Sequence, residues 1–109
     1  MRPEREGGVM DSDAVRQRIE ELKDRDMVIR QRAVDALRQL GPEAKAAVPA
    51  LSAALRDPSC GVRRRAAEAL GAVGAEARSA VPVLTEALRD RIHTVRDAAR
   101  AALEKIGKE

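Results

Sequence analysis

The stretch Val28–Gly41, VIRQRAVDALRQLG, returns as GVRRRAAEALGAVG from Gly61 to Gly74 and as TVRDAARAALEKIG from Thr94 to Gly107, each copy 33 residues after the last. Set in register, the copies keep an aliphatic residue at Ile29, Val62 and Val95 and an arginine directly after it at Arg30, Arg63 and Arg96. They also keep Ala33/Ala66/Ala99, Ala36/Ala69/Ala102, Leu37/Leu70/Leu103, Leu40/Val73/Ile106 and a closing glycine. Apolar residues at i, i+4, i+7, i+8 and i+11 share one stripe of a helix, and the glycine supplies the positive φ that ends it.

The intervening sequence repeats too. PEAKAAVPALSAALRD (Pro42–Asp57) lies over AEARSAVPVLTEALRD (Ala75–Asp90), matching Val48/Val81, Pro49/Pro82, Leu51/Leu84 and Leu55/Leu88. A further shift of 33 brings Asp13–Asp24 into register, with Ala14, Val15, Ile19 and Leu22 on the stripe and Ser12 as N-cap. The spacing therefore predicts an all-α chain of three helical pairs, about six helices, over 12–41, 42–74 and 75–107, with 1–11 as a flexible tail and 12–109 as one domain. A single pair cannot bury its own stripe, so the pairs must stack, and about three are needed for stability.

These residues resemble HEAT-like repeats, above all the short variety of phycobilisome lyase subunits, whose pattern runs roughly AVPxLxxALxDxxxxVRxxAAxALxxIG. The likeness covers about residues 13 to 107. It implies a right-handed α-solenoid with the second helix of each pair on the concave side. It also implies that Asp24/Arg30, Asp57/Arg63 and Asp90/Arg96 bond each other or the next repeat's turn as a structural ladder.

Composition narrows the reading. The chain has 109 residues, no Phe, Tyr or Trp, and 21 alanines, so the interior must be Ala, Val, Leu and Ile at close helix separations. Without aromatics it has no stacking platform for unpaired bases, no cage for a methylated cation and no aromatic anchor at an interface. The lone Cys60 excludes an internal disulfide, and no long apolar run or signal-peptide core precedes the repeats, so a cytoplasmic protein without a membrane span is expected.

Local signals set the helix ends. Asp26 and Ser59 stand as N-caps of the second helices, whereas the equivalent Ile92 cannot cap, so the last helix should begin less firmly. Pro49 and Pro82 require that the first helices either start nearby, after a separate turn at residues 43 to 47, or bend. Arg18 stands where Leu51 and Leu84 match, and Arg100 where Val34 and Ala67 match. Both changes read as capping of the array ends, which favours a complete small monomer, with a homodimer through a repeat end as the alternative.

Chemistry finds little purchase. Cys60 and His93 occupy the repeat position of Met27, one repeat apart, and one Cys with one His falls short of a zinc site or a nucleophile–base–orienter set. The repeated His-Glu pairs of iron-binding HEAT-like hydroxylases and the aromatic residues of HEAT-like DNA glycosylases are missing, and the likeness to bilin lyases is to the repeat alone. No cofactor, metal or catalytic residue is expected, and the glycines end helices where a phosphate site needs helix beginnings.

A binding module remains. The net charge is +3, and the second helices are the basic ones, with Arg30, Arg32 and Arg38 against Asp35 and Arg63, Arg64 and Arg65 against Glu68. The side chains expected to line the concave ridge are Gln31, Arg32, Asp35, Arg38, Arg64, Arg65, Glu68, Asp97, Arg100, Ala101, Glu104 and Lys105. Arg32 and Arg65 are equivalent and would form a two-step ladder for a carboxylate-rich peptide. The acids interrupt the basic surface, which suits an acidic or mixed-charge protein segment better than a nucleic-acid duplex; weak non-specific nucleic-acid binding and a structural, oligomerising role are the alternatives. An inner face on the order of 600 Å² is less than one side of a standard interface, so a peptide or single helix fits best.

Overall fold

The computed structural model describes residues 13–107, and the expected tail and the Ser12 cap lie outside that range. Among the described residues six α-helices follow one another: α1 (13–21), α2 (Met27–Leu40), α3 (Val48–Ala54), α4 (Cys60–Val73), α5 (Val81–Ala87) and α6 (His93–Gly107). Short 3₁₀ segments, Gly41–Ala47 and Gly74–Ala80, lead into α3 and α5. The helices form two layers, with α2, α4 and α6 side by side in one of them. The fold is an all-α solenoid of stacked helical pairs.

Local chemistry explains the boundaries. The Asp26 carboxylate accepts from Val28 N at 2.8 Å and the Ser59 hydroxyl from Val62 N at 3.3 Å, satisfying amides that the first helical turn leaves open. Gly41 (φ 60°, ψ −133°) and Gly74 (φ 83°, ψ −142°) end α2 and α4 in a region that a Cβ would make strained. Gly107 instead remains within α6 and takes no positive φ.

Pro49 and Pro82 lie in the first turns of α3 and α5, where a missing N–H removes no helical bond. The helices therefore start at the prolines after a separate 3₁₀ segment and do not bend around them. The kink falls upstream, at Ala44 (φ −91°, ψ 18°) and Ala77 (φ −96°, ψ 19°).

The repeated apolar stripe is the core. Ala33, Leu37, Val62, Ala66, Leu70, Val95, Ala99 and Ile106 are fully buried, as are Leu51 and Leu84 from the first helices. Among the described residues no polar or charged side chain is buried, so hydrophobic burial and dispersion hold the layers together. Ala14, expected on the stripe of α1, is exposed, while Val15 is buried and Ile19 and Leu22 pack partly against the core. Arg18 is half-buried and lies 3.2 Å from Glu21 in an ion pair, so it does not stand as a free charge on the end face.

Candidate functional site: the second-helix face

Two sets of polar residues flank this core, one at the loop edge and one on the outer surface of α2, α4 and α6. At the loop edge, the Asp24, Asp57 and Asp90 carboxylates accept the backbone N–H two residues on, from Asp26, Ser59 and Ile92, at 2.8 to 3.0 Å. Each conserved-register arginine then clamps its own loop. Nη1 of Arg30, Arg63 and Arg96 donates to the carbonyls of Asp24, Asp57 and Asp90 at 2.9, 2.9 and 2.7 Å.

The rest of the guanidinium reaches forward. Arg30 donates through Nε and Nη2 to both Asp57 oxygens at 2.8 and 3.0 Å, and Arg63 does the same to Asp90 at 2.8 and 3.1 Å. The ladder therefore joins arginine to the aspartate of the next repeat, in the bidentate geometry that makes Arg–carboxylate pairs strong. The Arg63 guanidinium holds the Asp90 carboxyl below the usual carboxylate range, and the Ile92 N–H adds to that. Reciprocally, the carboxylates of Asp57 and Asp90 raise the affinity of Arg30 and Arg63 for their protons.

On the second-helix face the candidate residues divide into two groups. Near repeat one, Arg65 pairs with Asp35 at 3.3 Å and donates to the Gly61 carbonyl at 3.4 Å. The Gln31 amide leans over Gly61, where an added Cβ would come within 2.5 Å of its nitrogen. Arg64 and Glu68 pair along α4 at 3.0 Å. Of the two arginines expected to form a ladder, Arg65 thus makes contacts within the protein while Arg32 is exposed.

Farther along, a groove of about 630 Å³ opens between α4 and α6. Arg38, Glu68, Asp97, Ala101 and Lys105, all anticipated from the sequence, line it together. The floor was not anticipated: Gly71, Ala72, Ala98 and Ala102 set it, with Thr94 at one end. Gly71 is the key to this shape, because a Cβ there would lie 3.1 Å from Ala102 Cα and 3.3 Å from its Cβ. The backbones of α4 and α6 meet closely at that point, and small side chains leave open space above it. Pairwise comparison of the repeats carries the signal, since Gly71 replaces the Arg38 of repeat one and Ala98 replaces Arg65. Arg100 pairs with Asp97 at 3.3 Å and, with Glu104, stands exposed outside the groove lining.

Among the described residues, chemistry of other kinds has no comparable cluster. Cys60 and His93 are exposed at helix starts. Among the described residues no group of three or more His, Cys, Asp or Glu is placed to hold a metal ion. No described helix is long and apolar enough to cross a membrane.

Comparison with known proteins agrees with this architecture. The crystal structure of an engineered protein from the Northeast Structural Genomics Consortium superposes with a TM-score of 0.76 at 25% identity, over 90% of this chain and 47% of that one. The chain thus spans about half the length of that structural relative. No curated protein matches the sequence. A family model for HEAT repeats matches residues 14–107, nearly the whole of the described stack. With its three registered helical pairs and its Asp–Arg ladder, the chain belongs to the HEAT-repeat family.

Proposed function

We propose that this protein is a non-catalytic binding module, working in the cytoplasm, that holds a segment of a protein partner in the groove between α4 and α6. HEAT repeats in general mediate protein–protein interaction. The observation that carries the finer reading is the groove itself, with Arg38 and Lys105 beside Glu68 and Asp97 over a floor of Gly71, Ala98 and Ala102. A floor of small residues accepts bulky side chains from outside, and a rim of both signs selects a segment with charges of both signs flanking an apolar residue.

The module's size points the same way. A groove along one helix pair suits a peptide or a single helix laid in it, the mode in which an amphipathic segment docks its apolar face. The test is affinity capture from a lysate of the source organism, with nuclease, using the wild-type chain and the Arg38→Glu/Lys105→Glu variant. A stoichiometric protein retained by the wild type and lost by the variant is expected. Equal retention by both would contradict the groove, and retention that disappears with nuclease would favour nucleic-acid binding.

A further inference from the structure

The loop edge of the junction between repeats two and three forms a groove of about 590 Å³, and its ion pairs follow a rule. Repeat two reaches forward with two arginines: Arg56 Nη2 lies 2.9 Å from Glu86 Oε1, and Arg63 Nε lies 2.8 Å from Asp90 Oδ2. The first junction repeats the second of these pairs, Arg30 with Asp57, whereas Lys23 and Ala53 stand where Arg56 and Glu86 meet. One repeat farther on, the arginines are Arg89 and Arg96. One repeat before the first junction, the matching carboxylate positions are Glu20 and Asp24. Among the described residues, Arg89 and Arg96 pair with no carboxylate, and the Glu20 and Asp24 carboxylates pair with no arginine.

The apolar residues are divided in the same way. Val81 and Leu103 are part-exposed on the last repeat, although their counterparts Val15 and Val48, and Leu37 and Leu70, are buried. At the other end, Ile29, Ala36 and Leu40 are half-exposed, although Val62, Ala69 and Val73 are buried. Each end of the stack is thus half of an internal junction, in both charge and shape.

We infer that copies of this chain stack head to tail, the last repeat of one on the first repeat of the next, with Arg89 set against Glu20 and Arg96 against Asp24 across the contact. The contact is heterologous, so it adds copies beyond two, as an open filament or a ring, and does not close as a two-fold dimer. It is also weak. An end face two helices wide and one helix long offers about 400 Å² per copy, half of a standard interface side. Arg100, exposed where Ala67 is buried, adds a charge that must turn to the rim, as its pairing with Asp97 allows. The stacking uses none of the groove residues Arg38, Glu68 and Lys105, so it stands or falls separately from the partner-binding reading.

Sedimentation velocity of the full 109-residue chain, over a wide concentration range at low salt, tests it. The weight-average mass should rise with concentration, without a plateau at the dimer, and fall as salt screens the ends. Arg89→Glu and Glu20→Arg each change a side chain that makes no hydrogen bond among the described residues, and each should weaken association at least about tenfold by replacing attraction with repulsion. Mixing the two variants in equal parts should restore it, because every altered end then meets a complementary one. A wild-type chain that stays monomeric at all concentrations would overturn the inference and leave the ends to another protein or to chain outside residues 13–107. Association untouched by the single reversals, or lost without rescue on mixing, would overturn it too.

Discussion

The two junctions between repeats share one loop-edge ladder and differ on the opposite face. Arg30–Asp57 and Arg63–Asp90 are nearly superposable pairs, 2.8 Å at their shortest in both. On the second-helix face, the first junction is bridged by Arg65 and Asp35, while the second brings Gly71 against Ala102 and leaves a groove. The ladder sets how one repeat sits on the next, and the variable face decides whether the surface is closed by its own charges or open to a partner. A stack of near-identical units can therefore carry one localised site.

Substitution at position 71 should break this contrast most strongly. Gly71→Leu gains about 1 kcal/mol of helix propensity but forces a side chain onto the Ala102 backbone, for a net loss of about 2 kcal/mol in chemical denaturation. The equivalent change in the first repeat, Arg38→Leu, falls on an exposed site and should shift stability by less than about 0.5 kcal/mol. Equal effects at the two sites would mean that the junctions are packed alike.

The shared ladder should respond next. Asp90→Asn removes the charge from a bidentate, nearly buried pair and should cost about 1.5 kcal/mol at neutral pH. Because the folded-state pKa of Asp90 is depressed by Arg63, its contribution is present above the unfolded carboxylate value and is lost as pH falls through the folded one. Denaturation curves of the variant and the wild type should accordingly converge in acid, below about pH 4. A difference that persists undiminished there would assign the effect to packing and not to charge.

The smallest effect belongs to the bridge that closes the first junction. Asp35 and Arg65 are more than a quarter exposed, so Asp35→Ala should cost about 0.5 kcal/mol or less. Its value lies in sharpening the comparison: with Arg65 released, the first junction gains a free cation, and any partner should bind there measurably better than to the wild type.

Much of this architecture is legible in the sequence because the 33-residue period repeats the core, the caps and the glycines three times over. The direction of the ladder is not. In a strict repeat, Arg30 stands six residues after Asp24 and 27 before Asp57, and periodicity alone cannot choose between them; the twist and rise of the stack do. The same holds for Arg65, whose partner Asp35 lies 30 residues back, and which therefore looked free for a ligand. The groove rim was legible as variable charged positions, whereas its floor depends on the approach of Gly71 to Ala102, 31 positions apart in the chain and visible only once the helices are packed.

The claim that the second junction is the open one is tested most directly by amide hydrogen exchange of the protein, alone and bound to its captured partner. Added protection concentrated in residues 68–72 of α4 and 94–105 of α6, with α2 changed little, is the predicted result. Protection confined to α3 and α5, or spread evenly over α2, α4 and α6, would contradict it.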